Sequence, residues 1–279
     1  MFFKEAWKNH NFLNDNLGQG NDYMGLGDIY LKSNKLKYAE ASYKMAIESH
    51  KLAHNNQNLK DGYRQLGYIY FRLNKLNEAK ALYQKALDFH KLSNSTMDQG
   101  KDYCGLEDIY FRLNNLNEAD VSYMKAFEIH KICNNVIGQG NDCRMLGYVY
   151  LKLNDPDEAK SFFKKSLELY EHANDFLGQG HAYYGLGDLY LRSNNLNEAE
   201  ASYQESLELY QLSNCLSSCG IAFQSLGKIQ LAKLNLPGTK ALFEEALAVH
   251  QQAQNSSWQE SDQLYLNEVL SKMGLLSLS

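Results

Sequence analysis

The sequence predicts an all-α fold built from stacked helix pairs, and three observations support this prediction. An apolar pattern recurs along the chain with a 40-residue period. Within each recurrence the apolar residues lie three, four or seven positions apart, which places them on one face of a helix. Only 2 of the 279 residues are proline, so few positions interrupt a helix. We therefore predict six full helix pairs with a half-repeat at each end.

The first helix of each pair is predicted from an apolar frame that includes one glycine: Tyr23, Leu26, Gly27 and Tyr30. The frame returns at each 40-residue step, although Glu107 takes the glycine position in the third unit. Its spacing predicts a helix over about residues 21–33. The small residue at position 27 allows a second helix to approach closely, while the tyrosines fill the space beside it.

The second helix is predicted from a frame of Ala39, Tyr43 and Ala46, over about residues 37–53. An asparagine separates the two helices in five of the six repeats, at Asn34, Asn74, Asn114, Asn154 and Asn194. Asparagine adopts the left-handed backbone conformation more readily than most residues, so it suits a helix exit. Both prolines, Pro156 and Pro237, follow this joint, where a new helix begins without losing a hydrogen bond.

The register divides residues 1–279, taken as one domain, into eight segments. The six full repeats are predicted at 20–59, 60–99, 100–139, 140–179, 180–219 and 220–259. Residues 1–19 match the second helix of a repeat and are predicted as an orphan second helix. Residues 260–279 match a first helix, but Gln263 and Asn267 replace its aromatic residue and its glycine. This final segment is therefore predicted as a capping helix.

The tyrosine–leucine–glycine–tyrosine frame, followed by alanine and an aromatic residue, resembles the tetratricopeptide repeat (TPR) in a 40-residue, long-helix variant. The resemblance covers essentially the whole chain. It is greatest to the repeat arrays of Pins/LGN-type scaffold proteins and to the C-terminal arrays of STAND-type NB-ARC receptors. It implies a right-handed α-α superhelix, a TPR solenoid, whose concave groove is lined by first helices and binds a protein or peptide. It does not imply which partner is bound.

Composition argues against several other classes of protein. The net charge is −5, so no basic surface field points to nucleic acid or to an anionic membrane. No apolar run approaches the roughly 20 residues that a membrane helix needs. Five cysteines without a C-x-x-C pair indicate reduced thiols rather than a disulfide framework. We therefore predict a cytoplasmic protein without nucleic-acid or membrane partners.

No catalytic, cofactor-binding or metal-binding residues are predicted. Gly18 and Gly20 superficially resemble a phosphate-binding loop, but no strand precedes them. Five of the eight histidines recur in register, and tyrosine takes the same position in two repeats, at Tyr170 and Tyr210. A packing position tolerates this exchange, whereas a metal ligand does not. The chain is therefore predicted not to be an enzyme.

A second period, twice as long as the first, lies within the first helices. Odd repeats carry an acid two residues before the last tyrosine of the frame, at Asp28, Asp108 and Asp188. Even repeats carry tyrosine there instead, at Tyr68 and Tyr148, with Arg64 and Arg144 four residues earlier. The TPR resemblance implies that these positions line the concave groove.

Two compatible interpretations of this alternation remain open. In the first interpretation, each arginine pairs with aspartates of adjacent repeats, which fixes the stacking of repeats. In the second, the arginines and nearby tyrosines anchor a partner segment, because arginine and tyrosine are favoured at interfaces. The second interpretation assigns the anchors Arg64, Arg144, Tyr68, Tyr148 and Tyr184.

A row of basic residues closes the first helices, at Lys32, Arg72, Arg112, Lys152 and Arg192. Cations at this end complement the helix dipole, and they also give the groove a positive rim. Together these features predict a non-enzymatic scaffold that binds a peptide or partner segment in its groove. The alternatives are head-to-tail self-association, giving a homo-oligomer through the terminal half-repeats, and a ligand-sensing array within a larger STAND-type receptor.

Overall fold

A computed structural model describes residues 15–93 and 95–274. These residues form thirteen α-helices and no strand. In chain order the helices are α1 (Asn16–Lys32), α2 (Leu36–Leu52), α3 (Asn56–Arg72), α4 (Leu76–Leu92), α5 (Thr96–Arg112), α6 (Leu116–Ile132), α7 (Val136–Leu153), α8 (Pro156–His172), α9 (Phe176–Arg192), α10 (Leu196–Leu212), α11 (Leu216–Ala232), α12 (Leu236–Gln252) and α13 (Ser256–Lys272). Odd-numbered helices are the first helices of the repeats and even-numbered helices are the second helices. The all-α prediction is confirmed for the described residues.

The chain divides into two compact units, residues 1–134 and residues 135–279. The first unit contains α1–α6 and the second contains α7–α13. Within each unit every helix packs against the next one along the chain. First helices of adjacent repeats are also in contact, as in the pairs α3–α5 and α7–α9. Each unit is therefore a stack of helix pairs, as the repeat pattern predicts.

The first helices begin earlier than predicted, as α1 does at Asn16. Asp15 caps α1 by accepting a hydrogen bond from the backbone N–H of Gly18 at 3.0 Å, and Asp175 caps α9 in the same way. Gly18 and Gly20 therefore lie inside α1 rather than in a turn before it. Residues 16–19 belong to this helix, and the rest of the orphan second helix predicted at 1–19 lies outside the described residues.

In five of the six repeats the core forms where a second-helix ring packs onto a first-helix glycine; the third repeat has Glu107 at that position. A methyl group at Gly27 would lie 2.8 Å from the Tyr43 ring, which is too close for two carbon atoms. A second contact lies two helical turns farther from the connecting loop, where Gly180 faces the ring of Tyr210. Tyr43 and Tyr210 are buried, so these glycines are required for the two helices to approach.

The same contact explains the histidines that recur in register. His50 faces Gly20 and His250 faces Gly220, at the position that Tyr210 occupies against Gly180. Both histidines are completely buried. The prediction that these histidines pack in the core is therefore confirmed at the described positions.

The helix exits predicted at asparagine adopt the left-handed conformation. Asn34, Asn74, Asn114, Asn154 and Asn194 have φ between 55° and 63°. In the sixth repeat the same position is Leu234, with φ of 59° and a side chain that is 85% exposed. A residue with a branched apolar side chain is strained in this region, by roughly 1–2 kcal/mol relative to the right-handed conformation.

We expect Leu234→Asn to raise the free energy of unfolding by about 1 kcal/mol, because asparagine tolerates positive φ and the leucine makes no buried contact to lose. Thermal and urea denaturation measure the change. Leu212→Asn is the matched control, since Leu212 is also exposed but ends α10 within the helix. Equal gains from both variants would show that the loss of exposed apolar surface, and not backbone strain, is responsible.

We also expect stability to fall as the pH drops from about 7 to 5, because burial lowers the pKa of His50 from its ordinary value of 6.5. Neither ring nitrogen has a hydrogen-bond partner among the described residues. The stabilising contribution of the neutral ring is thus present above pH 6.5 and is lost as the pH falls below it. His50→Tyr, which places the fifth-repeat residue there, should flatten this pH dependence in thermal melts. His172→Tyr, at an exposed position of α8, should leave it unchanged.

Candidate protein-interaction surface

Arg64 on α3 is held by carboxylates of its own helix and of the next first helix, α5. Its guanidinium donates to Asp61 Oδ1 at 2.6 Å and to Asp98 Oδ1 at 3.3 Å, and it lies 4.0 Å from Asp102 Oδ1. Burial opposes ionisation of Asp98, but hydrogen bonds from Ser95 and Lys101 and the charge of Arg64 hold its pKa well below the usual range. The repeat-stacking interpretation therefore applies to Arg64.

The aspartates in this network are not those that the alternation indicated. The predicted acids instead accept hydrogen bonds from tyrosines of the second helix in the same repeat. Tyr43 donates to Asp28 at 2.5 Å, Tyr123 donates to Asp108 at 3.4 Å, and Tyr203 donates to Asp188 at 2.6 Å. In each case the tyrosine follows the aspartate by 15 residues along the chain. The acidic positions of odd repeats thus fix the pairing of two helices within a repeat.

In the second unit, the predicted tyrosines lie together around Asp188. Tyr148 on α7 donates to Asp188 on α9 at 3.3 Å and packs edge-on against Phe163, with ring centroids 5.1 Å apart. Tyr184, also on α9, hydrogen-bonds to Ser225 at 2.8 Å. Burial raises the pKa of Asp188, and the hydroxyls of Tyr203 and Tyr148 oppose that rise. These half-buried side chains form a polar surface on α7, α9 and α11.

Arg144 lies on the same surface but is not held as Arg64 is. No carboxylate of the described residues of its unit lies within 4.0 Å of its guanidinium, and its Nε is buried without a hydrogen-bond partner. Its guanidinium hydrogen-bonds to the hydroxyl of Tyr170, and its charge acts on His181. Burial, and then the charge of Arg144, lower the pKa of His181 to about 4, so this histidine is neutral at pH 7.

The basic row reaches back toward the preceding repeat. Arg72 donates to Asn34 at 3.0 Å, Arg112 lies over the ring of Phe71 at 4.1 Å, and Arg192 donates to the carbonyl of Leu151 at 2.9 Å. The prediction for this row gave the helix dipole and a positive rim of the groove as its roles, and it missed the contacts between repeats. Lys32 and Lys152 are exposed.

Buried histidine–aspartate pairs were also missed. His90 contacts Asp102, and His250 contacts Asp262 at 2.6 Å, with all four side chains completely inaccessible to solvent. Gln224 donates to the other oxygen of Asp262. The sequence signal is that the aspartate, in a first helix, follows the histidine near the end of the preceding second helix by 12 residues in both pairs. Where tyrosine replaces the histidine, the residue at the aspartate position is alanine: Ala182 after Tyr170 and Ala222 after Tyr210.

A cleft of about 330 Å³ in the first unit lies away from the predicted residues. It is formed by α4, α5 and α6, and the residues lining it include Leu87, Leu106 and Val121. None of the predicted groove residues lines it. It is therefore a separate cleft, with a mixed polar and apolar lining, between two second helices and the first helix that joins them.

Comparison with protein families identifies the repeats. Two tetratricopeptide repeat models match the chain, one over residues 142–211 and the other over residues 61–89 and 108–131. Among curated protein sequences, none matches the chain significantly. Within the described residues, all helices are too short or too polar to cross a lipid bilayer.

Solved structures with this fold share little sequence with the chain. A signal transduction ATPase with numerous domains (STAND) that has a TPR sensor, from Pyrococcus horikoshii, is 16% identical with a TM-score of 0.72. The match covers 91% of this chain and 39% of that one. BtubC from P. vanneervenii is 17% identical with a TM-score of 0.65, over 79% of this chain and 92% of that one. A Rap protein complexed with competence and sporulation factor is 13% identical with a TM-score of 0.63, over 92% and 76% of the two chains.

We expect Tyr203→Phe to lower the free energy of unfolding by about 1–3 kcal/mol, because it removes the shorter of two hydrogen bonds to a half-buried carboxylate. Tyr43→Phe is the matched control, since its acceptor Asp28 is exposed and water can replace the hydroxyl. Its cost should stay below about 1 kcal/mol. Urea denaturation of both variants measures the difference, and equal costs would contradict a role for burial of the acceptor.

Proposed function

Because this chain is built from tetratricopeptide repeats, we propose that it is a non-enzymatic scaffold whose first-helix surface binds a peptide or an extended or helical segment of a partner protein. The observation that carries the proposal is the chemistry of that surface in the second unit. Arg144, Tyr148 and Tyr184 are half-buried and lie on neighbouring first helices. Arginine and tyrosine combine a large contact area with directed hydrogen bonds, so they are favoured interface anchors.

The polar side chains of this surface have roles in packing, which supports binding rather than catalysis. Asp188 accepts two tyrosine hydroxyls, and the hydroxyl of Tyr184 is bonded to Ser225. Such bonds fix the rings in place before a partner arrives, which lowers the entropy lost on binding. The likeness to a Rap protein that was solved with competence and sporulation factor supports a peptide-sized partner.

Arg64 is a poor site at which to test this proposal. Its guanidinium holds three aspartates of the first unit together, so reversing its charge disturbs the stacking of α3 and α5 as well as any partner contact. Tyr68, one turn further along α3, is a better probe because it is 37% exposed and because, among the described residues, its hydroxyl hydrogen-bonds only to Arg72, at 3.3 Å.

Site-specific photo-crosslinking tests the proposal. A benzoylphenylalanine at Tyr68 should crosslink to a defined partner in lysate from the source cells, whereas the same group at Tyr38 should not. Tyr38 is the matched control because it is 63% exposed in the same unit but lies on a second helix, α2. Crosslinking from Tyr38 alone, or equally from both positions, would place the partner elsewhere and overturn the proposal.

A sensor array within a larger signalling protein is a second candidate. It is supported by the likeness to the STAND protein with a TPR sensor, of which the chain covers 39%. Head-to-tail association of copies has less support, because α13 exposes Gln263 and Asn267, which hydrogen-bond to each other at 3.0 Å. A polar face of this kind disfavours packing against another helix.

A further inference from the structure

Arg64 and Arg144 occupy equivalent positions in the second and fourth repeats, yet their surroundings differ in charge. The three aspartates around Arg64 have as their counterparts Asn141, Gly178 and Ala182. Each replacement removes a carboxylate and none supplies another anion. The sequence has thus kept the arginine in the fourth repeat while removing every acid that neutralises it in the second.

Among the described residues of its unit, no carboxylate therefore neutralises the charge of Arg144. The guanidinium hydrogen-bonds to the hydroxyl of Tyr170, which is a neutral group, and its Nε is buried without a hydrogen-bond partner. A partly buried guanidinium of this kind is costly unless an anion binds it. The two nearby acids in the same unit have other partners. Asp175 accepts from the backbone of Gly178 at the start of α9, and Asp188 accepts from Tyr203 and Tyr148.

Aromatic side chains surround the arginine. Tyr148 lies one turn further along α7, and Tyr170 on α8 and His181 on α9 are close enough to feel its charge. His181 is fixed by a hydrogen bond between its Nδ1 and the hydroxyl of Tyr210, at 2.7 Å. Rings around a charged group reduce the water that competes for it, so a bound anion interacts more strongly there than at an open surface.

We propose that Arg144 is the anchor of a carboxylate-binding subsite on α7 and α9, which takes an aspartate or glutamate side chain of the partner segment. The inference rests on the proposed function and assigns the partner a local chemistry. A carboxylate matches the planar guanidinium in charge and in geometry, and it can accept two parallel hydrogen bonds. A phosphate is a poorer match, because His181 is neutral at pH 7 and two acids, Asp175 and Asp188, lie nearby.

A binding experiment on the purified chain tests the subsite. The probes are fluorescent heptapeptide pools that have random flanks and either glutamate, glutamine or phosphoserine at the centre. Fluorescence polarisation should show that the wild type prefers the glutamate pool over the glutamine pool by about tenfold. Arg144→Gln should abolish that preference. Lys164→Gln, which removes an exposed cation on the second helix α8 of the same unit, should retain it.

Weak binding is covered by a second measurement. In an NMR titration, the side-chain Nε–Hε signal of Arg144 should shift when N-acetylglutamate methylamide is added and not when the glutamine analogue is added. The signal is identified by its absence from the spectrum of Arg144→Gln.

Thermal melts provide a third measurement. Arg144→Gln should be at least as stable as the wild type, because no ion pair is lost, whereas Arg64→Gln should be less stable.

Three results would overturn the subsite: the same preference in Arg144→Gln, no response of the arginine signal to the glutamate probe, or stronger binding of the phosphoserine pool. These failures differ from failure of the proposed function. Photo-crosslinking from Tyr68 tests whether the first-helix surface binds a partner at all, and it does not depend on Arg144.

Discussion

The close approach of a second-helix ring to a first-helix glycine is the contact on which five of the six repeats depend. Tyr43 reaches the backbone of α1 only because Gly27 has no side chain, and His50 reaches it at Gly20 for the same reason. With the helices at this distance, the hydroxyl of Tyr43 lies within reach of Asp28, one position beyond the glycine. Hydrogen bonding at the surface of the first helix thus follows from steric fit in the core.

The parts of the structure that repeat could be predicted from the sequence, because each recurrence of the apolar frame has the same helical periodicity and the same packing positions. The helix pairs, the left-handed exits such as Asn34 and the packing role of His250 were all predicted in this way. The start of α1 was not, since Gly18 and Gly20 look like turn residues until the cap at Asp15 is seen.

Contacts between repeats were harder to predict, because the 40-residue period does not determine which side chains of adjacent repeats come into contact. The pairing of Arg64 with Asp98 joins one repeat to the next, and the alternation of acids suggested other partners. The bond from Tyr203 to Asp188 stays within one repeat and shows what those acids do. The residues common to all repeats describe the core, whereas the differences between repeats decide which charges on the first helices are neutralised by neighbouring side chains.

The separations between bonded residues also bear on how arrays of this kind gain and lose repeats. A bond within one repeat, such as Tyr203 to Asp188, remains intact when a neighbouring repeat is deleted or duplicated. The bonds of Arg64 to Asp98 and of His90 to Asp102 reach into the following first helix, so removing that helix leaves a half-buried guanidinium and a buried imidazole without these partners. A deletion or recombination between residues 60–99 and residues 100–139 therefore breaks bonds that one outside this block leaves intact.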